Sequence, residues 1–178
     1  MSKKKIATVW LGGCSGCHMS LLDIDELLLE VAKLADIVKS PVVDPKELPE
    51  VDLILVEGAI ANEEHLDEIK HIRKKAKILV AFGDCAVTGN VTALRNFMSK
   101  EAVLNRSYIE AESNVEGHVP GDVEVSKLID RVHPLHEVVK VDFYIPGCPP
   151  SAELIFYVLN EFLNDRVPVL DEGKLKYG

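Results

Sequence analysis

Three apolar runs in this chain each break at a glycine and are followed at once by cysteine. Val9-Trp10-Leu11 leads into Gly12-Gly13-Cys14-Ser15-Gly16-Cys17-His18, Ile78 to Phe82 into Gly83-Asp84-Cys85, and Val138 to Ile145 into Pro146-Gly147-Cys148-Pro149-Pro150. These are the chain's only four cysteines. Apolar runs that lack alternation suit strands covered on both faces, as in a parallel sheet flanked by helices. Right-handed crossovers in such a sheet place every strand-to-helix loop at one edge, where ligands bind. The pattern therefore predicts four thiols at a single edge, with Gly12, Gly13 and Gly16 letting the first loop take positive φ and approach a bound group closely.

The intervening segments support that frame. Ile6 to Leu11 reads as a strand and Met19 to Val31 as the helix after it, since its apolar residues recur at helical spacing. Ile37 to Val43 is a second strand beside the prolines at 41, 45 and 49, and Val51 to Val56 is a third, ending at Glu57. Asn62 is positioned to cap a helix with Glu63, Glu64 and Asp67 early and Lys70, Arg73, Lys74 and Lys75 late, an order that complements the helix dipole. After the strand Ile78 to Phe82 come a short helix at Val91 to Met98 and an irregular, polar insertion from Lys100 to Val125, read as a functional surface. Ser126 to Val132 is expected to be helical, Val138 to Ile145 the last strand, and Ser151 to Leu163 an amphipathic helix. Alternating strands and helices predict an α/β, flavodoxin-like, doubly wound parallel sheet, with residues 1–178 forming a single domain and 165–178 a tail.

The 178 residues carry a formal net charge of −9, which argues against binding to nucleic acid or an anionic membrane, both of which need a basic surface. No run approaches the roughly 20 apolar residues of a membrane span. Met1 to Lys5 precedes a strand with no signal-peptide core, so the chain is expected to be cytoplasmic. In a reducing compartment, strand-end cysteines suit metal ligation or redox chemistry better than structural disulfides. Three site chemistries stay open at this point: an iron-sulfur cluster held from separated loops, a zinc ion, and a dithiol oxidoreductase using Cys14 and Cys17 alone.

Cys14-Ser15-Gly16-Cys17-His18, Val56-Glu57-Gly58-Ala59-Ile60, Gly83-Asp84-Cys85 with the following Ala86 to Asn90, and Pro146-Gly147-Cys148-Pro149-Pro150 together resemble the small subunit of NiFe hydrogenases. The likeness is greatest to the small subunit of soluble, NAD-reducing members, through Cys17-His18-Met19-Ser20 and Asp84 to Asn96. The resemblance covers most of the chain. It implies a flavodoxin-like domain whose Cys14, Cys17, Cys85 and Cys148 hold one 4Fe-4S cluster close to a NiFe centre in a separate large subunit. It also implies that electrons leave through diaphorase subunits carrying FMN and further iron-sulfur clusters. Membrane-bound relatives have a twin-arginine leader and a further cluster-bearing domain, and no cysteine follows Cys148 here. The related subunit of respiratory complex I typically has adjacent cysteines where this chain has C-x-x-C.

Several side chains are assigned beside that reading. Glu57 is expected against the cluster, as a redox-dependent ligand or proton acceptor, or as an acceptor of backbone N–H groups from the neighbouring glycine turn. His18 is either a hydrogen-bond partner at the cluster or a surface loop histidine. His118, His133 and His136 are structural or exposed, while Trp10 and the leucines from Leu21 to Leu29 are expected in the core.

Overall fold

A computed structural model describes residues 3–45 and 47–175; Met1 and Ser2, and residues 176–178 of the expected tail, lie outside them. β1 (Lys4–Trp10), β2 (Ala35–Lys39), β3 (Val51–Glu57), β5 (Ala76–Phe82) and β7 (Phe143–Ile145) form one sheet in the order β2-β1-β3-β5-β7, with every neighbouring pair parallel. This is the flavodoxin-like order, and the chain reverses its direction of sheet growth between β1 and β3. A separate ribbon pairs β4 (Ile60–Asn62) antiparallel to β6 (Leu128–His133).

Both faces of the sheet are covered. Period-two alternation in β3 sends Leu53 and Leu55 to one side, against α1 (Gly16–Leu22), α2 (Leu28–Leu34) and α6 (Ala152–Leu163). Ile54 and Val56 face the other side, where Ile69 and Ile72 of α3 (Glu63–Lys75) pack. The remaining helices are α4 (Asp84–Thr88) and α5 (Lys100–Tyr108), with 3-10 segments at Asp25–Leu27, Asn90–Phe97 and Leu135–Glu137. Capping follows local chemistry: the Asn62 side chain accepts the His65 N–H at 2.8 Å and Ser151 accepts Leu154 N–H at 3.3 Å.

The differences from expectation have physical causes. The helix expected from Met19 to Val31 breaks into α1, a 3-10 turn and α2, because Asp25 takes φ +54°. Consequently Leu22, Leu27 and Leu29 are exposed and Leu28 is half-buried, while Leu21 and Ile24 are buried. Ser126 to Val132 is not helical: Leu128–His133 is a strand, since β4 offers it a ladder partner and tertiary pairing overrides local propensity. The second strand is Ala35–Lys39, and Val43 N–H already turns back to the Ser40 carbonyl. The last strand is only Phe143–Ile145, because Val138 and Val139 close a turn on Leu135. The insertion contains α5, capped by Ser99, and Val91 to Met98 lies largely in the 3-10 segment Asn90–Phe97. In the tail, Leu170 packs on the core and Tyr157 Oη donates to the Val169 carbonyl.

Asp142, just before β7, ties that segment to β5 through the Leu79 N–H and to α3 through an ion pair with Arg73. Burial alone would raise the Asp142 carboxyl, but the Leu79 N–H at 2.9 Å and the Arg73 guanidinium at 2.5 Å outweigh it and hold the group below its ordinary range. A carboxyl lowered on folding stabilises the folded state above its unfolded pKa of about 4, and that contribution is lost as pH falls through the lower folded value. Asp142→Asn is therefore expected to weaken protection of the Leu79 amide against hydrogen exchange at pH 7 by about 2 kcal/mol. The gap between variant and wild type should close once the pH is well below 4; an unchanged gap there would contradict the assignment.

Candidate metal centre

The cysteine loops leave the C-terminal edge of the sheet and are pinned to one another by backbone bonds. Leu11 N–H donates to the Glu57 carbonyl at 2.8 Å, and Gly12 and Ala59 exchange N–H···O bonds at 2.9 and 2.8 Å. These bonds tie the loop after β1 to the turn after β3. Likewise, Gly83 N–H donates to Ile145 O and Asp84 N–H to Gly147 O, while the Asp84 carboxylate accepts Gly147 N–H at 2.7 Å. The loops carrying Cys85 and Cys148 are thereby locked together. Thr92 Oγ1 donates to Gly12 O at 3.0 Å, fastening the 3-10 segment onto the Cys14 loop, and Ser20 Oγ donates to Pro150 O at 2.6 Å.

Cys17 opens α1 and is buried, as is Cys85 in α4; Cys14 and Cys148 are exposed, and all four are free thiols. They occupy one electrostatic neighbourhood. Burial pushes the Cys17 thiol well above its ordinary range, and Glu57, Cys85, Cys14 and Cys148 each add to the rise. Burial also raises Cys85; a hydrogen bond with Thr92 opposes it, while Cys148, Cys14 and Glu57 reinforce it. Asn90 Nδ2 lies 3.3 Å from Cys148 Sγ.

Glu57 ends β3 and is only 1% exposed. Its Oε1 accepts the Cys17 N–H at 3.3 Å and its Oε2 accepts the His18 N–H at 3.0 Å, so the carboxylate sits on the first turn of α1, where the helix dipole favours it. His18 Nδ1 meets the same Oε2, and Nε2 lies 2.9 Å from Thr8 Oγ1, which donates to Ser40 Oγ at 2.8 Å. His18 is thus a buried member of a hydrogen-bonded chain rather than a surface histidine. His133 pairs with Glu137 at 2.5 Å, and His136 meets Tyr144 edge-on.

The glycines act differently from the expectation. Gly12, Gly13 and Gly16 do not take positive φ, and the left-handed residue of that loop is Ser15, at φ +61°. Gly12 is required for close approach instead: a Cβ there would stand 2.8 Å from Ala59 O. Gly83 takes φ +82°, and a Cβ on it would meet Cys17 Sγ at 2.1 Å. Trp10 is 46% exposed rather than buried, because it is the last residue of β1, where helix cover has ended. Asp84, Thr8, Ser40 and Thr92 were not distinguishable from sequence; the nearest signal was the position of Asp84 directly between Gly83 and Cys85.

Chemically, the edge offers four sulfur donors from three loops beside a buried carboxylate. Burial raises the Cys17 and Cys85 thiols, so that each favours its neutral form until a bound cation reverses the balance. Among the described residues no three His, Cys, Asp or Glu side chains converge on a point suited to one metal ion. Also among them, no helix is long and apolar enough to cross a membrane.

Comparison with known proteins places this architecture. Residues 14–162 match the family model described as the NADH ubiquinone oxidoreductase 20 kDa subunit. The chain is 44% identical to a component of the F420-non-reducing hydrogenase of Methanothermobacter marburgensis, over 90% of this chain and 54% of that one. It therefore spans about half the length of that relative. It is 39% identical to the delta chain of the NAD-reducing hydrogenase HoxS of Cupriavidus necator, covering 92% of this chain and 80% of that relative. Among solved structures, a chain of an NAD+-reducing NiFe hydrogenase in the H2-reduced state superposes with a TM-score of 0.97 at 40% identity, over 99% of this chain and all of that one. A NiFeSe hydrogenase of Dm. baculatum shares the fold at a TM-score of 0.56 and 20% identity. The chain belongs to the family of the NADH ubiquinone oxidoreductase 20 kDa subunit and, within it, to the hydrogenase small subunits.

Proposed function

We propose that this chain is the electron-transfer small subunit of a cytoplasmic, NAD-reducing NiFe hydrogenase, holding one 4Fe-4S cluster on Cys14, Cys17, Cys85 and Cys148. The observation that carries the reading is the convergence of these thiols, from three strand-end loops, into one neighbourhood beside Glu57. One C-x-x-C pair and two single cysteines on separate loops suit a multi-iron cube better than the two paired knuckles of a structural zinc site. When bound, such a cluster accepts and releases single electrons. The chain's residues hold it: Cys17 and Cys85 from the buried side, Cys14 and Cys148 from the rim, with Asp84 and Thr92 fixing the spacing of their loops. Gly83 leaves the space that Cys17 Sγ occupies.

Hydrogen activation belongs, in this reading, to a NiFe centre in a large subunit, and NAD reduction to diaphorase subunits with FMN and further clusters. The exposed apolar residues Trp10, Met19, Val91, Leu94, Phe97 and Met98 suit cover by the large subunit, since the 3-10 segment is fastened to the Cys14 loop. The test is anaerobic purification from the native host: co-purifying large and diaphorase subunits, about four irons on this chain, and hydrogen-dependent NAD+ reduction are expected. The 44% identity to a component of an F420-non-reducing hydrogenase supports a second reading with another acceptor. Hydrogen oxidation with viologen but none with NAD+ would select it.

Glu57 acts here as the clamp on the cysteine loop. The carboxylate accepts the N–H groups of Cys17 and His18, which is the role of an acceptor holding the loop. Glu57→Gln removes one acceptor and is expected to weaken exchange protection of the Cys17 or His18 amide by about 1–3 kcal/mol while iron is retained. Spectra of wild type and variant should agree in both redox states. A difference confined to the oxidised protein would instead make Glu57 a redox-dependent ligand.

A further inference from the structure

The helix that presents Cys85 is short, and the way it ends carries a side chain to a second cysteine. Gly89 N–H closes α4 by donating to Cys85 O at 3.0 Å, Gly89 takes φ +87°, and Asn90 follows it at φ +36°. Thr88 Oγ1 holds this turn, donating to Asp84 O at 2.9 Å and accepting Asn90 N–H at 3.3 Å. Outside glycine, asparagine and aspartate are the residues that enter left-handed backbone most readily, so the turn selects a short polar side chain. The half-buried Asn90 then reaches the loop after β7, where its Nδ2 lies 3.3 Å from Cys148 Sγ. Among the described residues its amide group makes no other hydrogen bond. Thr92 also meets Cys85, but its one hydroxyl proton goes to Gly12 O at 3.0 Å.

We propose that Asn90 raises the reduction potential of the group held by the four cysteines, by donating an N–H to the Cys148 thiolate. The proposal rests on the reading of those cysteines as ligands of one cluster. One-electron reduction adds a negative charge that spreads onto the sulfurs, so a donor at sulfur stabilises the reduced state more than the oxidised one. The amide keeps both hydrogens throughout, and no proton moves with the electron. A higher potential favours uptake of electrons from hydrogen over their return. Asn90 is therefore a tuning residue: its backbone shape fits the turn and its side chain acts through Cys148.

The test uses the assembled protein purified without oxygen, with iron counted per chain and the midpoint potential read from the paramagnetic signal of the reduced state in a redox titration. Asn90→Gly keeps the left-handed turn and removes the donor. Iron should stay at about four per chain while the reduction equilibrium shifts on the order of tenfold toward the oxidised form, a fall of about 59 mV for one electron. Water admitted by the smaller residue would act in the opposite direction, so a fall reports the lost donor. Asn90→Asp keeps the side-chain shape, tolerates the same backbone and puts an acceptor in place of the donor; it should lower the midpoint further, and it decides the matter if the glycine variant loses iron. An unchanged or raised midpoint in an iron-loaded variant overturns the proposal, and so does loss of iron from both variants, which would make Asn90 a structural part of the loop. Wild type without iron would overturn the cluster reading and this inference with it, whereas about four irons with an unmoved midpoint overturns the tuning role alone.

Discussion

Cys148→Ala, in protein assembled and purified without oxygen, is expected to lose the cluster: iron falls from about four per chain to near zero and the broad visible absorbance disappears. Hydrogen-dependent reduction of any acceptor should fall by on the order of 100-fold or more, because even residues that merely support metal ligands typically cost 10–100-fold when replaced. Cys148 is the informative position. It is exposed, at the entry to α6, and contributes nothing to the core, so alanine there carries little folding cost. Its hydrogen-bond partner is Asn90, on a different loop. Cys85→Ala should give the same loss, although its buried position in α4 adds a packing penalty. A dithiol enzyme working through Cys14 and Cys17 would tolerate both changes. Full iron retention in Cys148→Ala would remove that residue from the ligand set, and stoichiometric zinc without iron in the wild type would overturn the assignment.

Gly83→Ala is expected to be as damaging as loss of a cysteine, for a reason that no contact made by the glycine itself reveals. The residue takes φ +82° and ψ 162°, an essentially glycine-only conformation that costs an L side chain roughly 1–3 kcal/mol. Its Cβ would also stand 2.1 Å from Cys17 Sγ, far inside contact distance, so either the sulfur or the strand end has to move. The strand end is held by Gly83 N–H on Ile145 O and by Asp84 on Gly147, so displacement falls on Cys17 and on the clamp that Glu57 makes to its N–H. Loss of iron together with a destabilisation of several kcal/mol is therefore expected. Gly121→Ala, where an added Cβ meets nothing within 4 Å, should match the wild type in both iron content and thermal unfolding. Normal iron content in Gly83→Ala would show that the loop relaxes and that the close approach is not needed.

Much of the architecture was legible from local pattern. β3 and β5 are runs that stay apolar at successive residues, which only a sheet covered on both faces can bury, and the position of the cysteines just beyond the ends of β1, β5 and β7 placed them at one edge. Asn62 and Ser151 were readable as caps because a cap bonds within three residues of itself. The ligand candidates were readable for the same reason, each standing one to three residues beyond a glycine turn.

What only the tertiary structure decided lies at long range. Leu128–His133 became a strand because β4, more than sixty residues earlier, offered it an edge. Trp10 was left exposed by the end of the helix cover, and its own apolar character could not report that. The chain from Glu57 through His18 and Thr8 to Ser40 joins residues from β3, α1, β1 and the end of β2, and its membership depends on β1 lying between β2 and β3. Local sequence determines which backbone a segment prefers and which face it buries, since those free energies are set within a turn or a strand. It does not determine which buried polar group will satisfy another, because that partner is chosen by strand order and register, and those are settled only when the whole sheet assembles.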